Sequence, residues 1–183
     1  MALKDHIKEN HDKAENHPFV KVLLSGQITE AIYADYLLNQ LICYGHLEEA
    51  AKTHGFFTDI EGIQRAEKIQ NDFVELLHPA QIHPSTFEYI KHIDNLPASL
   101  LWAHIYTRHF GDMYGGQIIK KVVLGSGTMY VFENRQELIA KVREKLSDDL
   151  ANEANKALEF SLKLFDELAQ AHNLTKPYEK ESI

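Results

Sequence analysis

The sequence has one cysteine in 183 residues, Cys43, and this scarcity limits the kind of protein that it encodes. A disulfide within the chain is excluded, and a reducing compartment is the natural setting for such a composition. Cys43 lies in the apolar stretch Leu41–Tyr44, with no basic residue beside it. We therefore expect a buried, inert thiol rather than a reactive one.

Long apolar runs and an excess of positive charge are also missing. No run reaches the ~18 residues that a membrane-spanning helix needs, and the first residues lack the apolar core of a signal peptide. The formal net charge of -8 disfavours binding to nucleic acid or to an anionic membrane surface. We expect a soluble cytoplasmic protein without nucleic-acid or membrane partners.

Several catalytic signatures are absent from the sequence. There is no P-loop, dinucleotide fingerprint or nucleophile elbow. Neither a two-histidine zinc pattern nor the paired Glu-x-x-His motifs of helical carboxylate sites occur. His46 and His104 lie on apolar helices, where core or boundary histidines with satisfied hydrogen bonds are expected. Exposed roles are expected for four histidines near predicted helix ends, namely His17, His54, His83 and His92.

Helical periodicity runs through almost the whole chain. It predicts an all-α bundle of about eight helices, forming one domain over residues 1–174 and followed by a polar tail, residues 175–183. Thr29 is a predicted N-cap, and Ser85 with Glu88 forms a predicted capping box. Met129–Phe132 is the only strand-like run, and it is too short to build a sheet. The main predicted helices cover residues 3–15, 29–50, 60–77, 85–93, 97–124, 134–142 and 147–168.

Glycine is concentrated within one of these predicted helices, at Gly111, Gly115 and Gly116. Each glycine costs a helix interior about 1 kcal/mol relative to alanine, but its missing side chain lets another body approach the backbone. In one explanation, Gly111 and Gly115 allow two helices to cross closely beside an Arg108–Asp112 ion pair. In the other, they let a planar ligand lie on the backbone, with Asp112 reaching over its edge to hold water.

A second group of residues lies near the start of the chain. Lys4, Lys8, His11 and Glu15 are spaced by four, three and four residues, which predicts one helical face. A histidine with a carboxylate one turn away suits a metal-binding imidazole, because the carboxylate can orient the ring. The alternative is a solvated face with ordinary i,i+4 ion pairs.

Together these two segments resemble the heme oxygenase family. His11-Asp-Lys-Ala-Glu-Asn16 resembles its proximal-histidine motif, and the segment from Tyr106 to Gln117 resembles its distal-helix signature. Weaker similarity covers Tyr44–Glu49 and the last helices, so the resemblance spans most of residues 3–170. It implies a single-domain bundle that holds heme between the first helix and a glycine-kinked distal helix.

The resemblance also implies roles for individual residues. His11 would be the axial ligand of the heme iron, with Glu15 beside it. Asp112 would organise distal water, supported by Tyr44 and Arg108. The other heme contacts would come from Lys4, Lys8, Tyr106 and Arg143 at the propionates and from Gly111 and Gly115 against the ring.

The reaction implied by the resemblance is oxidative ring opening of heme to biliverdin, with release of carbon monoxide and ferrous iron. It would use dioxygen and electrons from a soluble donor such as ferredoxin or another reductase, and a biliverdin-using enzyme would act downstream. Two alternatives stay open. One is a protein that binds or shuttles heme without opening it. The other is a non-heme member of the same helical superfold, such as a thiamin-salvage or pyrroloquinoline-quinone-type enzyme, or an interaction protein. Candidate residues for docking an acidic donor are Lys120, Lys121, Lys141, Arg143 and Lys145.

Some positions depart from the family pattern. Met113 and Tyr114 replace a smaller pair, and bulky Tyr114 predicts a narrower pocket or an added hydrogen bond within it. His109-Phe110 also differs from the usual pair. Ile139 stands one turn before Arg143, where the family often has a lysine, so one propionate contact is expected to be missing or supplied by Lys141. We expect these changes to affect the orientation of heme, and the meso carbon attacked, more than the activity.

Overall fold

The computed structural model describes residues 2–174, and every regular element in this part of the chain is a helix. The predicted all-α bundle is confirmed, with ten α-helices in the described range instead of about eight. The predicted polar tail, residues 175–183, lies outside the described residues. No helix between residues 2 and 174 is both long and apolar enough to cross a membrane. In chain order the α-helices are α1 Leu3–His6, α2 Lys8–Glu15, α3 Pro18–Leu24, α4 Glu30–Thr53, α5 Ala66–Leu76, α6 Pro84–Asp94, α7 Leu101–Tyr114, α8 Gly116–Ile119, α9 Arg135–Arg143 and α10 Ala151–Ala171.

The long helix α4 forms the centre of the bundle. As predicted, Thr29 caps it, with its Oγ1 accepting a hydrogen bond from the backbone N–H of Ile32 at 3.3 Å. It packs against α5, α6 and α7, while α10 crosses α7 and α2. Cys43 is buried within α4, and burial raises the pKa of its thiol, as expected for an inert cysteine. The arrangement places the central helix directly behind the glycine-containing α7.

The predicted N-cap at Ser85 is wrong, because α6 begins one residue earlier at Pro84. Proline at the first helical position has the backbone angle that the helix needs and no N–H to satisfy. The N–H of Ser85 donates instead to the carboxylate of Glu167 on α10, at 3.2 and 3.1 Å from the two oxygens. A side chain from another helix therefore accepts the hydrogen bond of a free N–H group at the start of α6, in place of a local capping box.

The helix predicted over residues 60–77 is divided into the 3-10 helix Glu61–Ile63 and α5. Glu48 of α4 separates the two, since its carboxylate accepts from the backbone N–H groups of Arg65 and Ala66. A carboxylate at a helix N-terminus is favourable because it satisfies free N–H groups and meets the positive end of the helix dipole. The strand-like run near Met129 is also helical, forming the 3-10 helix Thr128–Tyr130.

The glycine-containing helix ends earlier than predicted. Instead of continuing to residue 124, α7 ends at Tyr114, and the short α8 follows from Gly116 to Ile119. A Cβ atom built on Gly116 would lie 2.5 Å from Cδ1 of the buried Tyr130. Gly116 is therefore the position where a missing side chain permits close packing inside the protein.

Substitution of Gly116 by alanine is expected to destabilise the fold by about 1–3 kcal/mol, because the buried Tyr130 ring must move to admit the new methyl group. Gly45 on α4 provides the matched control, since a Cβ atom there meets nothing within 4 Å in the described chain. Gly45→Ala should stabilise the protein by about 0.5–1 kcal/mol through helix propensity. Urea unfolding of the two variants measures both changes, and equal effects of the same sign would contradict this assignment.

Candidate functional site

A cavity of about 880 Å³ lies between the N-terminal helices and the α7–α8 segment. This volume is in the range of about 300–1,000 Å³ that ligand pockets usually have. Apolar residues from α3 and α10, including Leu23 and Phe165, line much of it. Both segments that the sequence singled out contribute to its walls, so the chain brings them together around one space.

On the N-terminal side, His11 and Glu15 line the cavity from α2. Nε2 of His11 lies 3.8 Å from Oε1 of Glu15, too far for a hydrogen bond. The side chain of His11 is 51% exposed, so its ring reaches a ligand without disturbing the core. An accessible imidazole on a cavity wall, with a carboxylate one turn away, suits iron ligation.

The two lysines predicted for the same face have different positions. Lys4 lines the cavity, whereas Lys8 is not among its lining residues in the described chain and pairs with Asp12. The predicted continuous helix is interrupted at Ile7, which has φ -105° and ψ 1° and is buried in the core. This break changes the helical register between α1 and α2, so the regular spacing does not keep both lysines on one face.

Another part of the cavity wall comes from the α7–α8 segment and contains Gly111 and Gly115. Within the described residues, a Cβ atom built on Gly111 would meet nothing closer than 4 Å, and one on Gly115 would meet only the backbone oxygen of Gly111 at 3.3 Å. In this part of the chain no second helix packs against the pair, so the explanation by a close helix crossing fails. The exposed backbone leaves a flat surface on which a planar ligand can lie.

Asp112 lines the cavity between these glycines and is only 8% exposed. Burial raises the pKa of its carboxyl to about 6, and the hydrogen bond from Tyr44 opposes this rise. The hydroxyl of Tyr44 donates to Oδ2 of Asp112, and burial with the nearby carboxylate raises the pKa of Tyr44 well above its ordinary value. Tyr44 therefore stays protonated as a donor, and Asp112 is a carboxyl group that exchanges a proton near neutral pH.

Arg108 lies one turn before Asp112 but does not form the predicted ion pair with it. Its Nη1 donates to Oε1 of Gln40 at 3.0 Å, and its guanidinium lies 4.2 Å from the centre of the Tyr89 ring. Gln40 also lines the cavity and was not predicted from the sequence. It lies one helical turn before Tyr44 on α4, and this i,i+4 spacing was the available signal.

Tyr106 and Arg143, which the resemblance places at the heme propionates, both line the cavity. Tyr106 is half-buried, and exposed Arg143 marks a place where the cavity opens to solvent. Nη2 of Arg143 donates to the hydroxyl of Tyr114 at 2.8 Å. Tyr114 also lines the cavity, so the unusual tyrosine does form a hydrogen bond within the pocket. Exposed Lys4 and Arg143 give this opening the positive charge that a dicarboxylate would need.

Of the two outcomes predicted for the propionate contact near Ile139, a missing contact or one supplied by Lys141, the structure does not support the second. Nζ of Lys141 lies 3.1 Å from the backbone oxygen of Asp59 and 3.1 Å from Oε1 of Glu137. Ile139 is 4% exposed and packs in the core. The lysine expected near Arg143 is therefore replaced by a core residue, and Lys141 does not line the cavity in the described chain.

The donor set fits an iron porphyrin with two carboxylates. The cavity combines an accessible imidazole, a stretch of bare backbone, a buried carboxyl group with a raised pKa and two exposed cations at the opening. Apolar walls would cover the ring, and the imidazole of His11 would supply a nitrogen ligand to the iron. These features define an all-α protein with a pocket for a large, flat, anionic ligand.

The comparison with known sequences shows which family this is. The family model described as heme oxygenase matches residues 1–171, so the chain belongs to the heme oxygenase family. It is 32% identical to heme oxygenase 2 of Oryctolagus cuniculus, a match that covers 92% of this chain and 65% of that protein. The chain thus spans about two thirds of the length of that relative. It is 30% identical to heme oxygenase of Rhodella violacea, covering 92% of this chain and 86% of the relative.

Solved structures share the fold. Heme oxygenase-1 from Synechocystis sp., crystallised in complex with heme, has a TM-score of 0.78 with 24% sequence identity, covering 94% of this chain and 91% of that one. Heme oxygenase from Leptospira interrogans has a TM-score of 0.76 with 22% identity, covering 90% of this chain and 97% of that one. These likenesses establish the helical architecture and agree with the family assignment.

Proposed function

We propose that this protein is a heme oxygenase that binds heme in the cavity and opens the ring to biliverdin, with release of carbon monoxide and ferrous iron. The observation that carries the proposal is that a single cavity is lined both by accessible His11 and by bare Gly111 with buried Asp112. Family membership supports the same reaction. Heme, when bound, supplies both the iron that activates dioxygen and the ring that is opened.

The protein's own residues would orient the substrate and manage protons. His11 would fix the iron from one side, while Lys4 and Arg143 would hold the propionates at the opening. Oδ2 of Asp112 accepts the hydrogen bond from Tyr44. Oδ1 would accept hydrogen bonds from water, and the carboxyl group would exchange a proton with that water. Apolar walls would exclude bulk water from the ring.

An absorption time course of the purified protein with one equivalent of hemin, followed by reductant under air, tests this function. Loss of the Soret band with growth of a biliverdin spectrum would support it. A stable heme spectrum without bleaching would favour the heme-carrier alternative. Absence of any Soret shift on adding hemin would contradict heme binding and favour a non-heme enzyme.

A soluble reductant, with ferredoxin as the leading candidate, is part of the proposal. An acidic donor needs a positive surface on this acidic protein, and exposed Lys120, Lys121 and Lys145 offer one near the α7–α8 segment and α9. Lys141 contributes less, since Glu137 neutralises it. We also infer a cytoplasmic, reducing setting, supported by the single buried Cys43.

Reversing the charge at Lys120 and Lys121 should raise the KM for an acidic ferredoxin several-fold, because attraction between the two surfaces is lost. The rate with a small chemical reductant should stay unchanged. Lys91→Glu on α6 is the control, as it makes the same kind of charge change at another exposed lysine. Steady-state assays with ferredoxin at two salt concentrations measure the effect. An unchanged KM would show that these lysines are not part of the docking surface.

A further inference from the structure

Three side chains of the types that bind metals, those of His92, His104 and Glu153, come together where α6, α7 and α10 pack. Nε2 of His92 lies 2.5 Å from Oε1 of Glu153, and Nε2 of His104 lies 2.8 Å from the same oxygen. One ligand atom from each residue lies within 4.8 Å of the other two. None of the three lines the cavity in the described chain, so the cluster is separate from the proposed heme site.

The outer contacts orient this cluster. Nδ1 of His104 lies 2.9 Å from the hydroxyl of Tyr89, and both residues are buried. A hydrogen bond at one ring nitrogen fixes the orientation of the imidazole and leaves the other nitrogen for a metal, as in most histidine-ligated sites. With its proton on Nδ1, His104 would donate to Tyr89 and present the Nε2 lone pair to the centre of the cluster.

The charge states also suit a cation. Burial lowers the pKa of His104, which favours its neutral form. Burial acts to raise the pKa of Glu153, but hydrogen bonds from His104 and His92 outweigh it and lower the value to about 2. Neutral imidazole and ionised carboxylate are the forms that bind metals.

Access to the cluster is through His92, whose side chain is 20% exposed, whereas the side chains of His104 and Glu153 are 0% and 9% exposed. The exposed helix-end role predicted for His92 is wrong in part, since this residue is half-buried near the end of α6. The same prediction is wrong for His83, which is 8% exposed, while the buried role expected for His104 is confirmed. In the described chain, hydrogen bonds to the Glu153 side chain reach only Oε1, which leaves Oε2 for coordination.

We propose that His92, His104 and Glu153 form a binding site for a divalent transition metal of the zinc class. Two imidazole nitrogens and one carboxylate oxygen are a common zinc ligand set, and water would complete the coordination. Without metal, the Nε2–H groups of the two imidazoles donate hydrogen bonds to Oε1 of Glu153. On binding, the cation would take the place of these two protons. The metal would link α6, α7 and α10 and stabilise the folded state.

Zinc titration of the heme-free protein by calorimetry tests the site. We expect one Zn²⁺ per chain to bind more tightly than at any surface position, with a rise in the melting temperature. Because loss of an outer partner alone weakens metal affinity by about 10- to 100-fold, His92→Ala and Glu153→Gln should each weaken it by at least about 100-fold. Cobalt substitution should give the visible absorption of a four-coordinate site without thiolate bands.

Two control variants test whether other histidines contribute to zinc binding. His46→Ala removes a half-exposed histidine 3.7 Å from Asp94, and His11→Ala removes the second histidine–carboxylate group, which includes Asp12 and Glu15. Both should keep full zinc affinity. If Glu153→Gln does not fold, His92→Ala at the partly exposed position decides. The proposal would be overturned if the unaltered protein did not bind zinc, or if His92→Ala kept full zinc affinity. Loss of zinc binding in either control variant would overturn it as well.

Discussion

Replacing Asp112 by asparagine is expected to slow heme ring opening by at least about 100-fold, the lower range for a positioned acid–base group. Heme binding should be largely retained, because the substitution keeps the size of the side chain and an oxygen for the hydrogen bond from Tyr44. The amide cannot exchange a proton, and its NH₂ group donates where the carboxylate accepts. Single-turnover assays with preloaded heme separate this loss from any change in binding.

The same substitution should stabilise the heme-free protein at neutral and higher pH. Burial raises the pKa of Asp112 from 3.8 to about 6, so the folded protein binds this proton more tightly than the unfolded chain does. The ionised carboxylate therefore costs stability above about pH 6, and the cost disappears as the pH falls towards about 4. Since one pKa unit corresponds to about 1.4 kcal/mol, the full gain should be on the order of 3 kcal/mol.

Urea unfolding at about pH 8 and about pH 3.5 measures this difference, since the first value lies above the pKa of Asp112 in the folded protein and the second lies below its pKa in the unfolded chain. Asp112→Asn should stabilise the protein at the higher pH only. Tyr44→Phe is the complementary variant: it removes the donor that lowers the pKa of Asp112, so it should destabilise the protein most above about pH 6. An equal effect of Asp112→Asn at both pH values would contradict the raised pKa, and ring opening at the normal rate would contradict the proposed proton role.

Replacing His11 by alanine is expected to reduce ring opening to the background level while the fold stays intact. His11 is half exposed and lies outside the core clusters of buried residues, so its removal costs little stability. Heme should still enter, because the apolar walls and the cations Lys4 and Arg143 remain. The ferric absorption and resonance Raman spectra should lose the signature of imidazole ligation.

Imidazole added to the His11→Ala protein should restore part of the activity, because it supplies the same ligand in the space that the side chain leaves. His6→Ala, an exposed histidine on α1, is the matched control and should change neither spectrum nor rate. A ferric-heme spectrum that is the same in His11→Ala as in the unaltered protein would show that this histidine is not the ligand. Loss of heme binding together with the fold would instead indicate a structural role.

Much of this protein could be predicted because its signals are local. The 3.6-residue periodicity and the cap at Thr29 predict helices whatever packs beside them. His11 and Glu15 are separated by one turn within a single helix, and Gly111, Asp112 and Gly115 lie within one turn of each other. Ten of the eleven site residues predicted from the sequence therefore line the cavity. The exception, Lys8, lies beyond a helix break at a residue that is buried in the core.

Other features depended on contacts between distant parts of the chain. Glu48 divides a predicted helix by capping α5 from α4, and Glu167 satisfies the start of α6 from α10. Whether Gly111 faces a neighbouring helix or an open cavity depends on what packs beside it, which no spacing along one helix can reveal.

The sequence by itself determined the helical class, the family and the two segments that line the cavity. Only the tertiary structure decided the raised pKa of Asp112, since burial sets the cost of its charge. It alone also joined His92, His104 and Glu153, which lie on three different helices and form no local motif. Helical periodicity is encoded over neighbouring turns, whereas desolvation and convergence of side chains arise when separate helices pack.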